Sequence, residues 1–586
     1  MPSLMLTLWI AFTLGTVWTV YSGYCLYCNY VEATKMGVPI RIIPIDHLNK
    51  LWLLMDKQVI SVVRRLPGVL GKNNFTRFNY RGWHEHDRTR AHDEMGEAFI
   101  LVTPCHNWLY VADPVALMDM YRRGKDFPRW VEITKMLDVF GGPNIATASG
   151  EHWRMHRKII NSCLHEKCNS IVWSEAALLG DEMARYWASK GVFTSVGEDT
   201  RTASLHVLSR ACFGQSFAFE GHDERSSTSP SASFRISLLT IMEAALLILA
   251  LGPSFFMTTW LPLPRSWKII GEACAKFKGH MTYLYNEKFR ALREGHLQEE
   301  TTLMTALIRE SQKKGDGKGL TEAEIYGTMF VVSFAGHDTT AHLLTYVMFF
   351  LAANPSVQDW LAEELRDVLG DKPREEWSYH TDFPRLKRCM ATLYETLRLK
   401  TLVAEVKWTS NNVQSLNIGG RALTIPPRTL LIPSYQYVHQ HPKYWGPDAQ
   451  SWMPTRWIGK AKDNETSKPT VEVQTRDPME QNEDSQRQKG GNDEVLLPPP
   501  SRGNYLGWSE GARDCPGKKF SKVEWVAILA ALFRDWKVEP RLLENETFAE
   551  ARTRILNFIE KETGYGGLLL QLAHPEKVPL VWSRRY

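Results

Sequence analysis

The sequence predicts a mainly α-helical protein with small β-sheets, preceded by an N-terminal transmembrane helix. Three observations lead to this prediction. Apolar residues recur with helical spacing over 114–130, 151–187 and 275–293. Segments typical of strands are short and lie near the end of the chain, as in 423–433. The first charged side chain is Glu32, which follows an almost unbroken apolar run.

The apolar run covers residues 4–24, and about 20 apolar residues are enough to cross a bilayer. It has no basic start, so it does not resemble a cleaved signal peptide, and tyrosines near its end suit a membrane interface. Basic residues dominate the next segment, which places the body in the cytosol by the positive-inside rule. We therefore predict an anchor over 1–31, a proline-interrupted hinge over 32–47 and one main domain over 48–586.

The composition excludes several classes of protein. Hydrophobic residues make up 44% of the chain and charged residues 23%, which is typical of a globular protein with a large core. The net charge of +5 is too small for a dedicated nucleic-acid binder. Nine cysteines without a regular framework indicate reduced thiols. No glycine-rich phosphate loop follows a strand, and no nucleophile elbow is present. The sequence therefore lacks the main motifs of nucleotide-dependent enzymes and of hydrolases.

Two segments differ in composition from the rest of the body. Residues 459–500 contain no Phe, Trp or Tyr and are rich in charged and amide side chains, which predicts a disordered insertion. Residues 236–260 carry Glu243 as their only charge and are long enough to resemble a second membrane span. Pro253 interrupts this run, and prolines at 262 and 264 follow it, which favours short pieces that dip into one leaflet.

The strongest chemical motif is the segment 508–517, which places Cys515 on a glycine-bounded loop before a helical pattern. A helix N-terminus favours the thiolate, and the thiolate is the form that binds metals or attacks electrophiles. Flanking glycines let the backbone approach a flat ligand, and Arg513 lies two residues away. The alternative is a buried structural cysteine in a turn.

A second motif lies inside a predicted helix over 322–353, which begins with a capping box at Thr321 and Glu324. In its middle, Gly336 is followed by His337, Asp338, Thr339 and Thr340. Glycine and threonine do not favour helix stability at these positions, which indicates a functional kink. The alternative is that the glycine and threonines only allow another helix to pack closely, and that Asp338 is solvated.

Two further motifs are pairs on predicted helices. Glu395 and Arg398 are separated by one turn, and so are Trp153 and Arg157. The first pair is also compatible with a solvated helix face, and the second with an ordinary amphipathic helix. The ring N–H of tryptophan and the guanidinium of arginine together suit a buried carboxylate.

These motifs resemble those of the cytochrome P450 family, the haem-thiolate monooxygenases, in family order from about residue 48 to 575. The aromatic residue, glycine, arginine, cysteine and final glycine of 508–517 fall in register, although Trp508 stands where the family usually has Phe. The resemblance is to the microsomal type and implies the P450 fold. It also implies a haem b whose iron takes the Cys515 thiolate as its axial ligand.

The resemblance assigns roles to the other motif residues. It implies that Asp338 and Thr339 relay protons to bound dioxygen and that Trp153, Arg157 and Arg513 hold the haem propionates. Lys407 occupies roughly the position of another propionate-binding base. The segment 452–457 is similar to a family loop whose arginine, here Arg456, joins Glu395 and Arg398 in a buried cluster behind the haem.

The resemblance also implies partners. No flavin or nicotinamide fingerprint is present, so electrons would come from NADPH through a separate membrane-bound flavoprotein reductase, docked on basic residues near Cys515. The N-terminal region resembles fungal enzymes of secondary metabolism, which suggests an apolar terpenoid or polyketide substrate and a single-pass location in the endoplasmic reticulum membrane with the catalytic domain in the cytosol. Two alternatives stay open, a haem-binding sensor or carrier and a reductase-independent isomerase. Thr339 argues against the isomerase, because oxygen activation needs it and isomerisation does not.

Overall fold

The computed structural model describes residues 2–221, 230–258, 260–296, 302–312, 319–403, 405–460, 494–566 and 568–585. Residues 2–8, 10, 11, 133, 136, 230–232, 246 and 249 are described by their backbone alone. Helices dominate this part of the chain and five small sheets accompany them, as the sequence predicts.

The helices of the first half are α1 (Pro2–Thr34), α2 (Lys50–Val63), α3 (Asn74–Phe78), α4 (Trp83–Asp87), α5 (Arg90–Met95), α6 (Pro114–Arg122), α7 (Val131–Thr134), α8 (Gly150–Cys163), α9 (Glu166–Lys190), α10 (Val196–Leu208), α11 (Pro230–Glu243), α12 (Ala245–Leu251), α13 (Pro253–Phe256) and α14 (Arg265–Arg293). Those of the second half are α15 (Leu303–Gln312), α16 (Glu322–Ala353), α17 (Pro355–Leu369), α18 (Lys387–Leu399), α19 (Tyr435–Gln440), α20 (Pro442–Trp445), α21 (Lys518–Phe533) and α22 (Phe548–Glu562).

The strands are β1 (Ile40–Ile42), β2 (Ala98–Val102), β3 (Asn107–Val111), β4 (Val192–Phe193), β5 (Lys407–Trp408), β6 (Gln414–Ile418), β7 (Arg421–Ile425), β8 (Thr429–Pro433), β9 (Ile458–Lys460), β10 (Glu494–Leu496), β11 (Trp536–Pro540), β12 (Thr563–Tyr565), β13 (Leu570–Leu572) and β14 (Leu580–Arg584). The largest sheet has the order β1-β2-β3-β8-β5. Its β1–β2 and β3–β8 pairs are parallel, whereas β2–β3 and β5–β8 are antiparallel. The predicted strand region 423–433 covers most of β7 and all of β8.

The longest helix in the body is α16, and its bounds agree with the sequence prediction. The side chain of Thr321 accepts a hydrogen bond from the backbone N–H of Glu324, and the Glu324 carboxylate accepts one from the N–H of Thr321. The helix ends at Ala353, immediately before Asn354 and Pro355. Its 32 residues correspond to about 48 Å, so it runs through the whole core.

The periodic stretch over 151–187 is divided between two helices. Helix α8 ends at Cys163, and α9 begins at Glu166 after a two-residue break. His165 ends the break as an N-cap, since its Nδ1 accepts a hydrogen bond from the N–H of Cys168 at 3.2 Å. Periodicity alone did not reveal this boundary because apolar residues continue in register on both sides.

The predicted membrane span lies in α1. Within the part of the chain that the structure describes, no helix is both long and apolar enough to cross a membrane. Many side chains of the predicted anchor over 1–31 lie outside the described residues. In the described part of α1, Thr13, Thr16 and Thr19 interrupt the apolar residues and bond to the helix carbonyls four residues earlier. The predicted transmembrane anchor is therefore not confirmed.

The apolar run over 236–260 forms short pieces, as its prolines suggest. Helices α11, α12 and α13 cover the run one after another, and α13 begins at Pro253 after Gly252, whose φ is +82°. Glycine adopts this left-handed backbone without the steric cost that other residues incur. The helix therefore ends here, and a separate helix begins at Pro253.

Most of the predicted insertion, residues 461–493, lies outside the described residues. Its two ends do not: β9 and β10 form an antiparallel pair in which Lys460 lies opposite Glu494. Glu494 also receives two hydrogen bonds from the Arg388 guanidinium, at 3.0 and 2.9 Å. The ends of the predicted insertion, 459–460 and 494–496, thus belong to the ordered body.

This pairing leads to a prediction about the insertion. Replacing residues 461–493 by Asn-Gly joins two opposed strand residues through a favoured hairpin turn. A shorter loop costs less closure entropy, about 0.6 kcal/mol for each halving, so we expect an unchanged or higher free energy of unfolding. Urea unfolding and haem content of the purified variant measure this. A fall in either quantity would show that the deleted segment contributes to the fold.

Candidate functional site

The thiol of Cys515 lies at the end of a tight loop that leads into α21. The backbone N–H of Cys515 donates to the carbonyl of Trp508 at 2.9 Å, which closes the loop. The side chain itself is exposed, and the N–H of Gly517 is directed at the sulfur. Burial of the surrounding loop raises the pKa of the thiol above its usual value, while Gly517 and the charges of Arg157 and Lys518 lower it. The sulfur is therefore accessible to a ligand from one side and held by the backbone on the other.

Trp508 packs behind this loop. Its ring N–H donates to Ser521 Oγ at 3.0 Å and is therefore not directed at the sulfur. Tyr394 and Tyr505 contact the Trp508 ring edge to face, with ring centroids 5.8 and 6.2 Å away. The indole that replaces the usual phenylalanine is thus fixed by its own polar partner and by aromatic packing.

The loop also meets α8, where the structure places Trp153 and Arg157. Arg157 donates to the carbonyl of Asp514 at 2.6 Å and to its carboxylate at 2.5 Å. The guanidinium of Arg513 lies over the Trp153 ring, 4.7 Å from its centroid, and donates to the carbonyl of Ala148 at 2.8 Å. The three residues predicted to hold propionates are therefore brought together next to Cys515.

Lys407 lies close to this group, but a carboxylate engages it. Its Nζ is 2.9 Å from Glu405 Oε1, and Arg129 Nη2 is 3.3 Å from the same oxygen. The hydroxyl of Ser509 donates to the other Glu405 oxygen at 2.6 Å. Burial opposes ionisation of Glu405, yet Arg129 and Lys407 lower its pKa to about 2. Sequence reasoning missed both partners: Glu405 lies only two positions before Lys407 but was not paired with it, and no local pattern links either residue to the distant Arg129.

The charges around the loop do not cancel. Two carboxylates, those of Glu405 and Asp514, face four cationic side chains, those of Arg129, Arg157, Lys407 and Arg513. The Nη1 atom of Arg513 is buried and has no hydrogen-bond partner among the described residues. Burial and the nearby charge of Arg129 lower the pKa of Arg513 to about 10. The arrangement therefore suits a ligand that brings two negative charges.

Behind the loop, the fully buried Glu395 lies at the centre of a cluster of hydrogen bonds. Arg398 donates two hydrogen bonds to its carboxylate, both at 2.8 Å, and Arg456 donates a third at 2.9 Å. The ring N–H of Trp457 and the backbone N–H of Met453 complete the shell, each at 2.9 Å. The structure thus joins the three residues that the sequence placed in one cluster. Trp457 was not assigned to it, although it follows Arg456 directly.

Helix α16 presents one open face within the core. From Glu324 to Ala353 its residues are buried except along one side, where Ala335 is exposed and Val332, Gly336 and Thr339 are half-buried. These positions follow the helical repeat, so they share one face. The Thr339 hydroxyl donates to the carbonyl of Ala335 at 2.8 Å and lies on this face.

Asp338 points to a different face of α16, towards α10. Arg201 Nε is 3.0 Å from one carboxylate oxygen, and His342 Nε2 is 3.4 Å from the other. Burial favours the neutral acid, but the charges of His342 and Arg201 hold the pKa of Asp338 well below its usual range. Asp338 is therefore an anion with two partners. Its spacing from His342 is visible in the sequence, whereas Arg201 could be identified only from the structure.

Comparisons with known proteins agree with this geometry. The family model of cytochrome P450 matches residues 76–561. The chain belongs to the cytochrome P450 family. A P450 monooxygenase of Arthrobotrys oligospora is 26% identical over 552 residues, which cover 90% of each chain. A P450 monooxygenase of the phomenoic acid biosynthesis cluster of Leptosphaeria maculans is 26% identical over 583 residues, which cover 92% of this chain and 93% of the relative.

A plant relative extends the comparison beyond fungi. The 7-deoxyloganic acid hydroxylase of Catharanthus roseus is 24% identical over 450 residues, which cover 73% of this chain and 74% of the relative. The chain is thus a P450 monooxygenase, and P450 enzymes use a haem-thiolate iron that receives electrons from a redox partner. The mainly helical architecture with small sheets is the P450 fold.

The residues around Cys515 fit a haem. Its two propionates would supply the two negative charges that the P450 site lacks, and the unpartnered Arg513 Nη1 provides a donor for one of them. The accessible Cys515 would supply the thiolate ligand that the haem iron of a P450 requires. Trp153, Arg157 and Arg513 would hold the haem at its edge. Lys407 would contribute to the site only indirectly, through its ion pair with Glu405.

The open face of α16 leads to a prediction about Thr339. In Thr339→Ala, we expect this P450 to keep taking electrons from its redox partner while the fraction of electrons recovered in product falls at least about tenfold, because a positioned proton donor is lost. Peroxide release measured beside product formation tests this. Thr345→Ala is the matched control, since Thr345 makes the same bond to a carbonyl one turn earlier but is buried. Equal coupling in both variants would contradict the role of Thr339.

Proposed function

We propose that this P450 inserts one oxygen atom from dioxygen into an apolar small molecule, a terpenoid or polyketide intermediate of fungal secondary metabolism. The observation that carries the proposal is the loop of Cys515, where an accessible thiol lies beside an excess of positive charge. The relative from a phomenoic acid biosynthesis cluster supports the metabolic setting.

Bound haem would supply the redox chemistry that activates dioxygen. Residues of two segments would hold this group. Cys515 would provide the thiolate ligand, and the N–H of Gly517 would stabilise negative charge on the sulfur. Arg513 and Arg157 would bind the propionates, and the Glu395 cluster stabilises the segment behind the cysteine loop.

Proton transfer depends on α16. The Thr339 hydroxyl lies on the open face and donates to the Ala335 carbonyl. Asp338 holds a negative charge on the adjacent face through Arg201 and His342. We assign Thr339 as the group that would pass protons into the pocket and Asp338 as the anion that orients Arg201 and His342.

The shape and polarity of the open face favour an apolar substrate. Ala335 and Gly336 leave room beside Thr339, and no charged side chain of α16 lies on this face within the described residues. The apolar pieces α11 to α13 would admit a substrate from a lipid phase. In the described part of α1, large apolar side chains such as Trp9, Phe12 and Trp18 are more than 60% exposed, which supports attachment to the endoplasmic reticulum membrane with the body in the cytosol.

Reconstitution tests the proposed reaction. The purified protein, a membrane-bound flavoprotein reductase and NADPH are combined with extracts of the host cells, and oxygenated products are compared with and without the P450. We expect product only when reductase, NADPH and P450 are all present. Conversion of a peroxide substrate without reductase would instead identify an isomerase, and binding without turnover would identify a carrier or sensor.

The proposed location has its own test. Asn74 and Asn545 belong to glycosylation acceptor sequences on either side of the apolar run 236–260. With the body in the cytosol, neither asparagine carries a glycan after expression in a eukaryotic host, and protease added to intact microsomes degrades the body. A glycan on Asn545 would contradict the proposed location.

A further inference from the structure

Three cysteines lie together where α1 meets the turn between β2 and β3. Cys25 and Cys28 are one helical turn apart on α1, and Cys105 belongs to the turn that follows β2. Burial and the charges of Asp46 and Cys25 raise the pKa of the Cys105 thiol, so Cys25 lies close to it. Cys28 and Cys105 are exposed, whereas Cys25 is half-buried. We call these three cysteines the thiol cluster.

Hydrogen bonds hold α1 against this turn of the body. The side-chain amide of Asn29 donates to the carbonyls of Thr103 and Pro104 at 2.9 and 3.3 Å, and that of Asn107 donates to the Asn29 carbonyl at 2.9 Å. One helical turn later, Ala33 is completely buried in the same apolar core as β2. The fold therefore fixes the cysteines of α1 beside the turn that carries Cys105.

The thiol cluster lies at the boundary between the apolar and the charged part of the N-terminal region. No charged side chain precedes Glu32, which pairs with Lys35 at the end of α1. On the N-terminal side of this pair, Tyr21, Tyr24 and Tyr27 are each 65% exposed. Exposed tyrosines favour the interface between a membrane and water. With α1 attached to a membrane, the thiols would therefore lie at the membrane surface.

The surroundings of the thiol cluster favour a lipid modification. All three cysteines are free thiols, and the described residues contain no group of three His, Cys, Asp or Glu side chains arranged for a metal ion. Cysteines beside a membrane surface are typical sites of S-acylation. One weak signal holds a protein on a membrane only reversibly, and stable attachment takes two. The exposed apolar side chains of α1, such as Trp9 and Trp18, supply the first.

We propose that Cys28 and Cys105 are S-acylation sites, each of which carries one long-chain acyl group as a thioester. Both side chains are exposed, and they belong to two different segments. Two acyl chains at these positions would attach α1 and the body to the same leaflet. Cys25 is half-buried and takes no acyl group. The inference rests on the proposed attachment to a membrane and is independent of the proposed oxygenation.

The chemistry is an exchange of thioesters. The acyl donor is a long-chain acyl thioester of coenzyme A, and the cysteine sulfur attacks its carbonyl carbon. A new carbon–sulfur bond forms, the bond to coenzyme A breaks, and coenzyme A leaves as a thiol with the proton of the cysteine. Nothing is oxidised or reduced. Because the Cys105 thiol stays protonated at pH 7, a membrane acyltransferase is needed to remove this proton during the transfer.

Exchange of acyl groups for a polymer tag counts the modified cysteines. The full chain is expressed in a eukaryotic host, free thiols are blocked, hydroxylamine cleaves the thioesters, and a maleimide of polyethylene glycol marks each released thiol. We expect two tags that require hydroxylamine on the native protein, one tag on Cys28→Ser and on Cys105→Ser, and none on the double variant. Tags that depend on a reductant instead of hydroxylamine would reveal a disulfide and overturn the proposal, as would two tags on the double variant.

Cys25→Ser and Cys274→Ser are the controls. Cys25 belongs to the thiol cluster but is half-buried, and Cys274 is buried in α14. Both variants should keep two tags, and haem content should be unchanged in all variants. Loss of a tag in Cys25→Ser would contradict the assignment of the two acceptors.

The tag count needs no turnover, so it separates this inference from the proposed function. A native protein without hydroxylamine-dependent tags, in whichever cell fraction it is recovered, would overturn the inference and leave the oxygenation untouched. Failure of the reconstituted reaction would contradict the proposed oxygenation alone, because the tags are counted without any substrate.

Discussion

Replacing Glu395 by alanine is expected to lower the free energy of unfolding by about 3–5 kcal/mol, because it leaves the buried charge of Arg398 uncompensated. Arg456 and the ring N–H of Trp457 lose the same acceptor. This is a large fraction of the stability of a typical domain. We therefore expect little folded, haem-loaded protein, measured by urea unfolding and by the haem content of the soluble fraction.

Glu363→Ala provides the matched control for this prediction. Glu363 also pairs with an arginine, Arg388, at 2.6 Å, but its side chain is 61% exposed. Exposed pairs contribute about 0–1 kcal/mol, so this variant should unfold almost like the native protein. If Glu395→Ala were no less stable than Glu363→Ala, the cluster would not have the structural role assigned to it.

The second large effect is expected at the edge of the haem site. Arg513→Ala removes the buried donor Nη1 and the cation above the Trp153 ring. A hydrogen bond to a charged group contributes about 1.5–3 kcal/mol, so we expect haem to dissociate about 10–100-fold more readily. Transfer of haem to an excess of a haem-free acceptor protein measures the change.

Arg154→Ala is the control for the arginine site. Arg154 lies on the same helix as Arg157, but its side chain is 63% exposed and pairs with Glu151 on the surface. Haem transfer from this variant should match that from the native protein. If Arg154→Ala and Arg513→Ala lost haem equally fast, general destabilisation of the region would explain the result and Arg513 would not be a propionate ligand.

Much of this site could be predicted from local sequence. The cysteine loop, the cap of α16 and the pair of Glu395 and Arg398 are encoded by residues within a few positions of each other, where backbone geometry fixes the neighbours. The helix bounds 322–353 follow from a capping box at one end and Asn354-Pro355 at the other. These features depend on physical rules that act over one or two turns.

The remaining features required the tertiary structure. Glu405 lies two residues before Lys407, but Arg129 and Ser509 reach the same carboxylate from distant segments, so the local sequence does not show that this cluster forms. Asp338 illustrates the same limit, because its second cationic partner Arg201 lies 137 residues earlier. Buried charges must find partners, but sequence spacing does not show which distant residue provides them.

The most direct test of the haem-thiolate assignment is the absorption spectrum of the reduced protein after addition of carbon monoxide. We predict the red-shifted band of a thiolate-ligated haem for the native protein and for Cys274→Ser, whose cysteine is buried in α14. Cys515→Ser should lose this band even where haem remains bound. A thiolate-type band that persists in Cys515→Ser would contradict the assignment of Cys515 as the iron ligand.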